Sequence, residues 1–229
     1  MDLGLKNKVA LVTGAGSQTG FGKSIALSLG KEGCDVIVVD IDLEGAKKTA
    51  ADLEASGCRA LALKADITSA EEVDKMVKAG LDEFGKIDIL VNNAGRARTS
   101  PFTEATEEDW HANIDTNLRA MWYCCRAVLP QMIERNSGNI ISLSSTTAVR
   151  GLPQASLYSA ANAAVIGMTK ALAPEVGHKG INVNVVMVPG MNDVDSNAPE
   201  QGDIANMVVF LASNAASDFT SQTMLTGAW

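Results

Sequence analysis

Val9-Ala10-Leu11-Val12-Thr13-Gly14-Ala15-Gly16-Ser17-Gln18-Thr19-Gly20-Phe21-Gly22 is the stretch on which the fold turns. Its first residues are apolar at every position, as in a strand buried on both faces of a sheet. A glycine cluster follows, and from Phe21 the apolar residues Ile25 and Leu29 recur at helical spacing. A strand, a glycine-rich turn and a helix in this order let the backbone approach a pyrophosphate. The free N–H groups at the helix N-terminus then meet its charge.

Outward from this unit the same alternation repeats. Short β-branched runs at 36–39, 60–64, 87–91, 139–144, 181–188 and 222–226 join the first at 9–12 as candidate strands. Between them lie helical patterns at 43–55, 70–84, 105–135, 157–177 and 203–213. Ser69 with Glu72 predicts a capping box, and Thr106 with Asp109 a weaker one. Buried strands that alternate with helices predict an α/β fold: a single domain over residues 1–229, a doubly wound parallel sheet of about seven strands with helices on both faces. No linker, repeat or low-complexity segment interrupts it.

The chain has 229 residues, 46% hydrophobic and 20% charged, with a net charge of −8. An acidic surface without a Lys/Arg run argues against nucleic acid and against an anionic membrane. The longest aliphatic runs are far too short to span a bilayer, and the N-terminus has no signal-like apolar stretch. Cys34, Cys58, Cys124 and Cys125, with only His111 and His178 besides, show no metal-ligand spacing. A metal site is not expected. Buried thiols in a reducing, cytoplasmic compartment are.

Asp40 ends the second strand. A carboxylate there can accept both hydroxyls of an adenosine ribose and repels a 2′-phosphate, which points to NAD over NADP. Asp42 is the better candidate for starting the next helix.

With these residues and those that follow, the chain resembles the short-chain dehydrogenase/reductase family, near its 3-oxoacyl-carrier-protein reductase and secondary-alcohol dehydrogenase branch. The likeness runs over nearly the whole length. Ala65-Asp66-Ile67 resembles the adenine-contacting Asp motif, and Asn92-Asn93-Ala94-Gly95 the family's signature after the fourth strand. Asn117 lies where a proton-relay Asn belongs. Ser144-Ser145, Tyr158 and Pro189-Gly190 follow in the expected order.

The resemblance implies cofactor contacts from Gly14, Ser17, Gln18, Thr19, Gly20, Phe21, Gly22, Asp40, Asp66, Ile67, Asn93, Ala94, Gly95, Tyr158, Asn162, Pro189 and Gly190. It implies that Tyr158 exchanges a proton with a substrate hydroxyl while the nicotinamide exchanges a hydride. Ser145, thirteen residues earlier, would bond the same oxygen; Ser144 is one position off and should face the other side of the strand.

The family's Lys four residues after the Tyr is replaced by Asn162. Lys170 is about 18 Å from Tyr158 along the helix and cannot substitute, and Val165 occupies the later position that enoyl reductases use. A Tyr near its ordinary pKa of about 10 is ionised on the order of one part in a thousand at pH 7. Losing a shift of about two units removes roughly 3 kcal/mol of phenolate stabilisation. Asn162 can still bond the nicotinamide ribose, without charge. Reduction, which starts from neutral Tyr158, should suffer less than oxidation.

Three further departures stand out. The glycine loop is two residues longer than the family pattern, the approach to Pro189 one residue longer, and the segment from 191 to 202 is short and polar where the family has a substrate lid. Arg96 and Arg98 could attract an acidic substrate, though solvated loop cations are the commoner case. Two readings follow. One is an NAD(H)-dependent oxidoreductase interconverting a ketone and a secondary alcohol, with Ser145, Tyr158, Asn117 and Asn162 at its centre. The other is a catalytically silent NAD-binding protein that serves as a partner subunit or sensor. The resemblance also implies a homotetramer, built through the helices at 105–135 and 157–177, whose Trp122, Tyr123, Val165, Ile166, Met168 and Leu172 exceed one sheet-facing stripe.

Overall fold

Seven parallel strands form one sheet in the order β3-β2-β1-β4-β5-β6-β7. The computed structural model describes residues 2–189 and 201–226. The strands are β1 (Val9–Thr13), β2 (Asp35–Asp40), β3 (Ala60–Lys64), β4 (Ile89–Asn92), β5 (Gly138–Ser145), β6 (Ile181–Val188) and β7 (Thr223–Leu225). The helices are α1 (Phe21–Lys31), α2 (Leu43–Ala55), α3 (Ala70–Phe84), α4 (Glu107–Ile114), α5 (Ala120–Arg135), the short α6 (Thr147–Arg150), α7 (Ser156–Val176) and α8 (Gln201–Ala212).

Alternate strand residues feed two cores. Ala10, Val12, Val36 and Val38 pack with Ile25, Leu29, Leu53 and Val208 on one face. Val9, Leu11, Ile37 and Val39 pack with Val77, Val128, Val165 and Val176 on the other. Each fully buried aliphatic side chain contributes about 1.5–3 kcal/mol of transfer free energy, which is why the apolar runs of β1 and β2 predict their positions so closely. The edge strand β3 departs from that expectation: it is half-buried and its Lys64 is exposed, because no further strand covers its outer side.

The strand order reverses between β1 and β4, and the crevice beyond their carboxyl ends is where such sheets hold ligands. Those ends are stitched together. Asn93 donates from Nδ2 to the carbonyls of Thr13 at 2.8 Å and Gly14 at 3.1 Å. Thr13 Oγ1 in return accepts the N–H groups of Asn93 and Ala94, both at 3.1 Å.

Two local expectations are corrected. The helix predicted over 105–135 is broken by a π-helical turn, Asp115–Arg119, between α4 and α5. Asn117 Nδ2 there donates to the carbonyl of Asn113, one turn earlier, at 2.7 Å. The capping boxes are reversed in strength. Thr106 and Asp109 form both reciprocal bonds. Ser69 takes the Glu72 N–H, but the Glu72 carboxylate reaches instead to the N–H of Asp66, 2.8 Å away.

Among the described residues no helix is long and apolar enough to cross a membrane.

Candidate active site

Two connected cavities open at the switch point. The larger, a cleft of about 750 Å³, has Gly14, Ser17, Gly20 and Phe21 on one side and Asp40, Ile41, Ala65, Asp66 and Ile67 on the other. The smaller, about 200 Å³, is lined by Asn92, Asn117, Ser142, Ser144, Tyr158, Asn162 and Val188. Phe21, Ile67 and the turn Asn93-Ala94-Gly95-Arg96 border both.

The glycines of the loop are there for close approach. Gly14 has a φ of +67°, and a Cβ on it would lie 2.7 Å from Ala94 Cα. A Cβ on Gly22 would lie 2.3 Å from the Gly14 carbonyl oxygen, so the first turn of α1 packs directly on the loop. Gly22, Gln18 and Thr19 stand off the cleft wall. Thr19 offers its carbonyl to Gln201 Nε2 at 2.6 Å, and Gln18 turns its side chain to α2.

Asp40 is half-buried at the end of β2, with Oδ2 accepting the Gly16 N–H at 2.7 Å and Oδ1 the Asp42 N–H at 3.0 Å. Each carboxylate oxygen keeps acceptor capacity for a further donor. Asp42 caps α2 by accepting the Glu44 N–H, as expected. Asp66 Oδ1 accepts from the N–H and hydroxyl of Thr68 at 2.9 and 2.7 Å.

At the other end, adjacent positions of β5 diverge as strand geometry requires. Ser144 Oγ donates to the Asn162 carbonyl at 3.0 Å and faces the small cavity. Ser145 is fully buried; its Oγ is bonded by Thr147 N and Oγ1 at 3.2 and 3.0 Å and lies near the Tyr158 side chain. Burial pushes the Tyr158 phenol above its ordinary value, while hydrogen bonds with Ser145 and Asn162 pull the other way without winning. Asn162 is buried on α7, one turn beyond Tyr158, and Lys170 is exposed further along the same helix.

Asn117 lines the small cavity, but its amide holds the neighbouring turn: Nδ2 donates to Arg96 O at 2.7 Å, and Oδ1 accepts Arg96 N at 3.2 Å. Of the two loop arginines, Arg98 is engaged by Glu108 and Asp109; Arg96 stands at the junction of both cavities. Pro189 follows directly on Val188, and Gly190 lies outside the described residues. Sequence reasoning gave no site role to Thr13 and Asn92, which lie within its motifs, and missed Ser142 and the rim formed by His111, Asp115 and Thr116. For the serine floor the period-two spacing of Ser142 and Ser144 was a usable signal; for the rim there was none.

Burial pushes the thiols of Cys34 and Cys125 up to about 12, and among the described residues no group of three His, Cys, Asp or Glu side chains could hold a metal ion.

The fold and this paired cleft define a nucleotide-binding oxidoreductase architecture. The chain belongs to the short chain dehydrogenase family, which matches residues 8–204. It is 39% identical to a hydroxy(phenyl)methylsuccinyl-CoA dehydrogenase subunit from Thauera aromatica, over 97% of this chain and 96% of the relative. It is 38% identical to the 3-oxoacyl-acyl-carrier-protein reductase of Staphylococcus epidermidis, over 95% of this chain and 96% of that protein. A solved short-chain alcohol dehydrogenase from Sinorhizobium meliloti superposes with a TM-score of 0.90 at 31% identity, covering 96% of this chain and 94% of its own.

The alignment with the Thauera protein spans 241 positions against 229 residues here. That relative therefore carries residues this chain lacks.

Proposed function

We propose that the protein is an NAD(H)-dependent oxidoreductase that interconverts a ketone and a secondary alcohol, and that it favours the reducing direction. The observation that carries this reading is Tyr158, a half-buried phenol beside Ser145, in the small cavity into which the nucleotide-sized cleft leads. The relatives' names point the same way, since a 3-oxoacyl reductase and a hydroxyacyl-CoA dehydrogenase both interconvert C=O and C–OH.

The donor set fits NAD. Asp40 has free acceptor sites for the two ribose hydroxyls, and its charge disfavours a 2′-phosphate. Gly14, Ser17 and Gly20 expose backbone at the N-terminus of α1 for the pyrophosphate. Asp66 and Ile67 border the adenine end, and Asn93, Ala94 and Gly95 the nicotinamide end. The cofactor, when bound, supplies or accepts the hydride.

The chain's own residues handle the proton. Because burial holds the Tyr158 phenol protonated, it can donate to a carbonyl oxygen, with Ser145 steadying that oxygen. Asn162 brings no charge to lower the phenol's pKa, so abstraction of a proton from an alcohol is the harder direction.

The half-exposed Trp110 and Trp122 on α4 and α5 suit contacts between copies of a homotetramer. Val165 is core instead, and Ile166, Met168 and Leu172 pack partly against it. Four free cysteines fit a reducing, cytoplasmic setting.

A panel of ketones and alcohols assayed with NADH and NAD, alongside titration of NADH and NADPH, tests the reading. Carbonyl reduction with NADH, and an affinity at least about tenfold above that for NADPH, is expected. Tight NADH binding with no turnover on any carbonyl would transfer the case to the silent partner subunit.

A further inference from the structure

We infer that Gln18 is a positioning residue for the adenosine-ribose end of the cleft. It fixes the extended glycine loop against α2, so that the loop as well as the charge of Asp40 excludes a 2′-phosphate. The inference rests on the proposal that the cleft takes NAD(H).

The loop from Gly14 to Gly20 contains three glycines and is two residues longer than the family pattern. Such a segment has more conformational freedom to lose and needs a fastening. Gln18 supplies it from an exposed position. Its Nε2 donates to the Gly16 carbonyl at 2.8 Å, and lies 3.2 Å from the Gly45 carbonyl and 3.4 Å from Thr49 Oγ1. Its Oε1 accepts from Lys23 Nζ at 2.6 Å. One side chain thus ties the loop to both α1 and α2. Thr49 is buried and completes the attachment by donating to the Ala15 carbonyl at 2.8 Å.

The consequence falls on Asp40. Gly16, held through its carbonyl by Gln18, donates its N–H to Asp40 Oδ2 at 2.7 Å. The fit is tight on every side. A Cβ on Gly16 would lie 2.7 Å from Asp40 Cβ and 2.9 Å from Ala46 N, and one on Gly45 would lie 2.5 Å from the Gly16 carbonyl oxygen.

The gap between the loop and the first turn of α2, beside the carboxylate, is therefore closed. On the loop side, the ammonium of Lys23 is already shared between Gln18 and Asp52, 2.7 Å away. A 2′-phosphate on that side would meet the fastened loop as well as the charge of Asp40.

The test is calorimetric binding on the full chain, wild type against Gln18→Ala and Gln18→Glu, with NADH, NADPH, AMP and reduced nicotinamide mononucleotide as probes. Glutamate keeps the size of the side chain and the contact with Lys23 but loses the Nε2 donor and sets negative charge against the Gly16 and Gly45 carbonyls, so it should weaken binding at least as much as alanine. NADH and AMP should each weaken about three- to tenfold, the loss of roughly one or two hydrogen bonds. The mononucleotide should bind as before. The ratio of NADH to NADPH affinity should fall.

A thermal melt confirms that the variants are folded. Unchanged NADH and AMP affinities in both variants would overturn the inference, and so would an equal weakening of AMP and the mononucleotide, which marks a global effect. Failure of the wild type to bind either dinucleotide would instead remove the functional proposal on which it stands.

Discussion

The side-chain amide of Asn162 is turned back on the carbonyl of Tyr158, one helical turn earlier, with Nδ2 and oxygen 3.0 Å apart. One of its donor hydrogens is thereby committed to the helix, and it carries no positive charge to the phenol of Tyr158.

Asn162→Lys should place an ammonium next to that phenol and lower its pKa by about two units, worth roughly 3 kcal/mol of phenolate stabilisation. Alcohol oxidation at pH 7 should rise by tenfold or more, carbonyl reduction by less. Steady-state rates in both directions check this, and Tyr158→Phe in the lysine background should abolish the gain. A lysine variant that binds NADH yet oxidises no faster would show that substrate cover, not the missing charge, limits the protein.

The pH profile of the unsubstituted protein follows from the same phenol. Its pKa is raised by burial, so the protonated donor persists through neutral and mildly alkaline pH. The Tyr158 contribution to kcat/KM for reduction should be flat from about pH 6 to 9 and fall only as pH climbs through the raised pKa. Oxidation, which needs the phenolate, should keep rising over that same interval. A reduction limb that falls near pH 7 would assign the proton to another group.

Most of the scaffold and the core of the site could be read from the residues because burial left a direct trace. Buried strands such as Val36 to Val39 are continuous apolar runs, and the predicted bounds of 60–64 and 181–188 coincide with β3 and β6. Interactions made by one side chain with a distant backbone leave no such trace. The Asn117 amide, within the π-helical turn Asp115–Arg119, reaches the backbone of Arg96. Gln18 looks like a phosphate-loop residue in sequence, yet its amide reaches Gly45, 27 positions away. The capping boxes show the same limit: Ser69 and Glu72 have the better residue types, but the nearby N–H of Asp66 captures the glutamate.

Asp88 gives a prediction about stability. It is 3% exposed, bonds the Val9 N–H and Lys86 Nζ, each at 2.9 Å, and pairs with Arg135. Burial works against its ionisation, but Lys86, Val9 and Arg135 outweigh it and hold the carboxyl below its ordinary range. Asp88→Ala should cost about 3 kcal/mol, the low end for a broken buried pair because both cations are partly exposed. That corresponds to a Tm lower by roughly 6–12 °C. A depressed folded-state pKa contributes stability above the unfolded value near 4, and that contribution is lost as pH falls through the folded value. Melts at pH 7 and pH 3 should therefore show the gap between wild type and variant narrowing in acid; a gap that is constant with pH would deny the carboxylate this role.

Asn117 supplies the last prediction, because its position in the family pattern and its contacts suggest different work. Both hydrogens of Nδ2 are committed, to Arg96 O and Asn113 O at 2.7 Å each, while Oδ1 accepts Arg96 N at 3.2 Å. A Cβ on Gly95 would fall 2.7 Å from the same Oδ1. The amide thus clamps the turn that borders both cavities and ties it to the carbonyl of Asn113. It has no donor left for a proton chain. Asn117→Ala should lose about 1–3 kcal/mol of stability through those unpaired groups, and should raise the KM for both NADH and substrate as the turn loosens. Asn117→Asp separates clamp from relay: a carboxylate keeps the bond to Arg96 N but sets negative charge against two carbonyls, so a clamp predicts a loss as severe as alanine's. If instead Asn117→Asp keeps wild-type stability and KM while kcat acquires a new pH dependence, the side chain carries protons and the clamp is secondary.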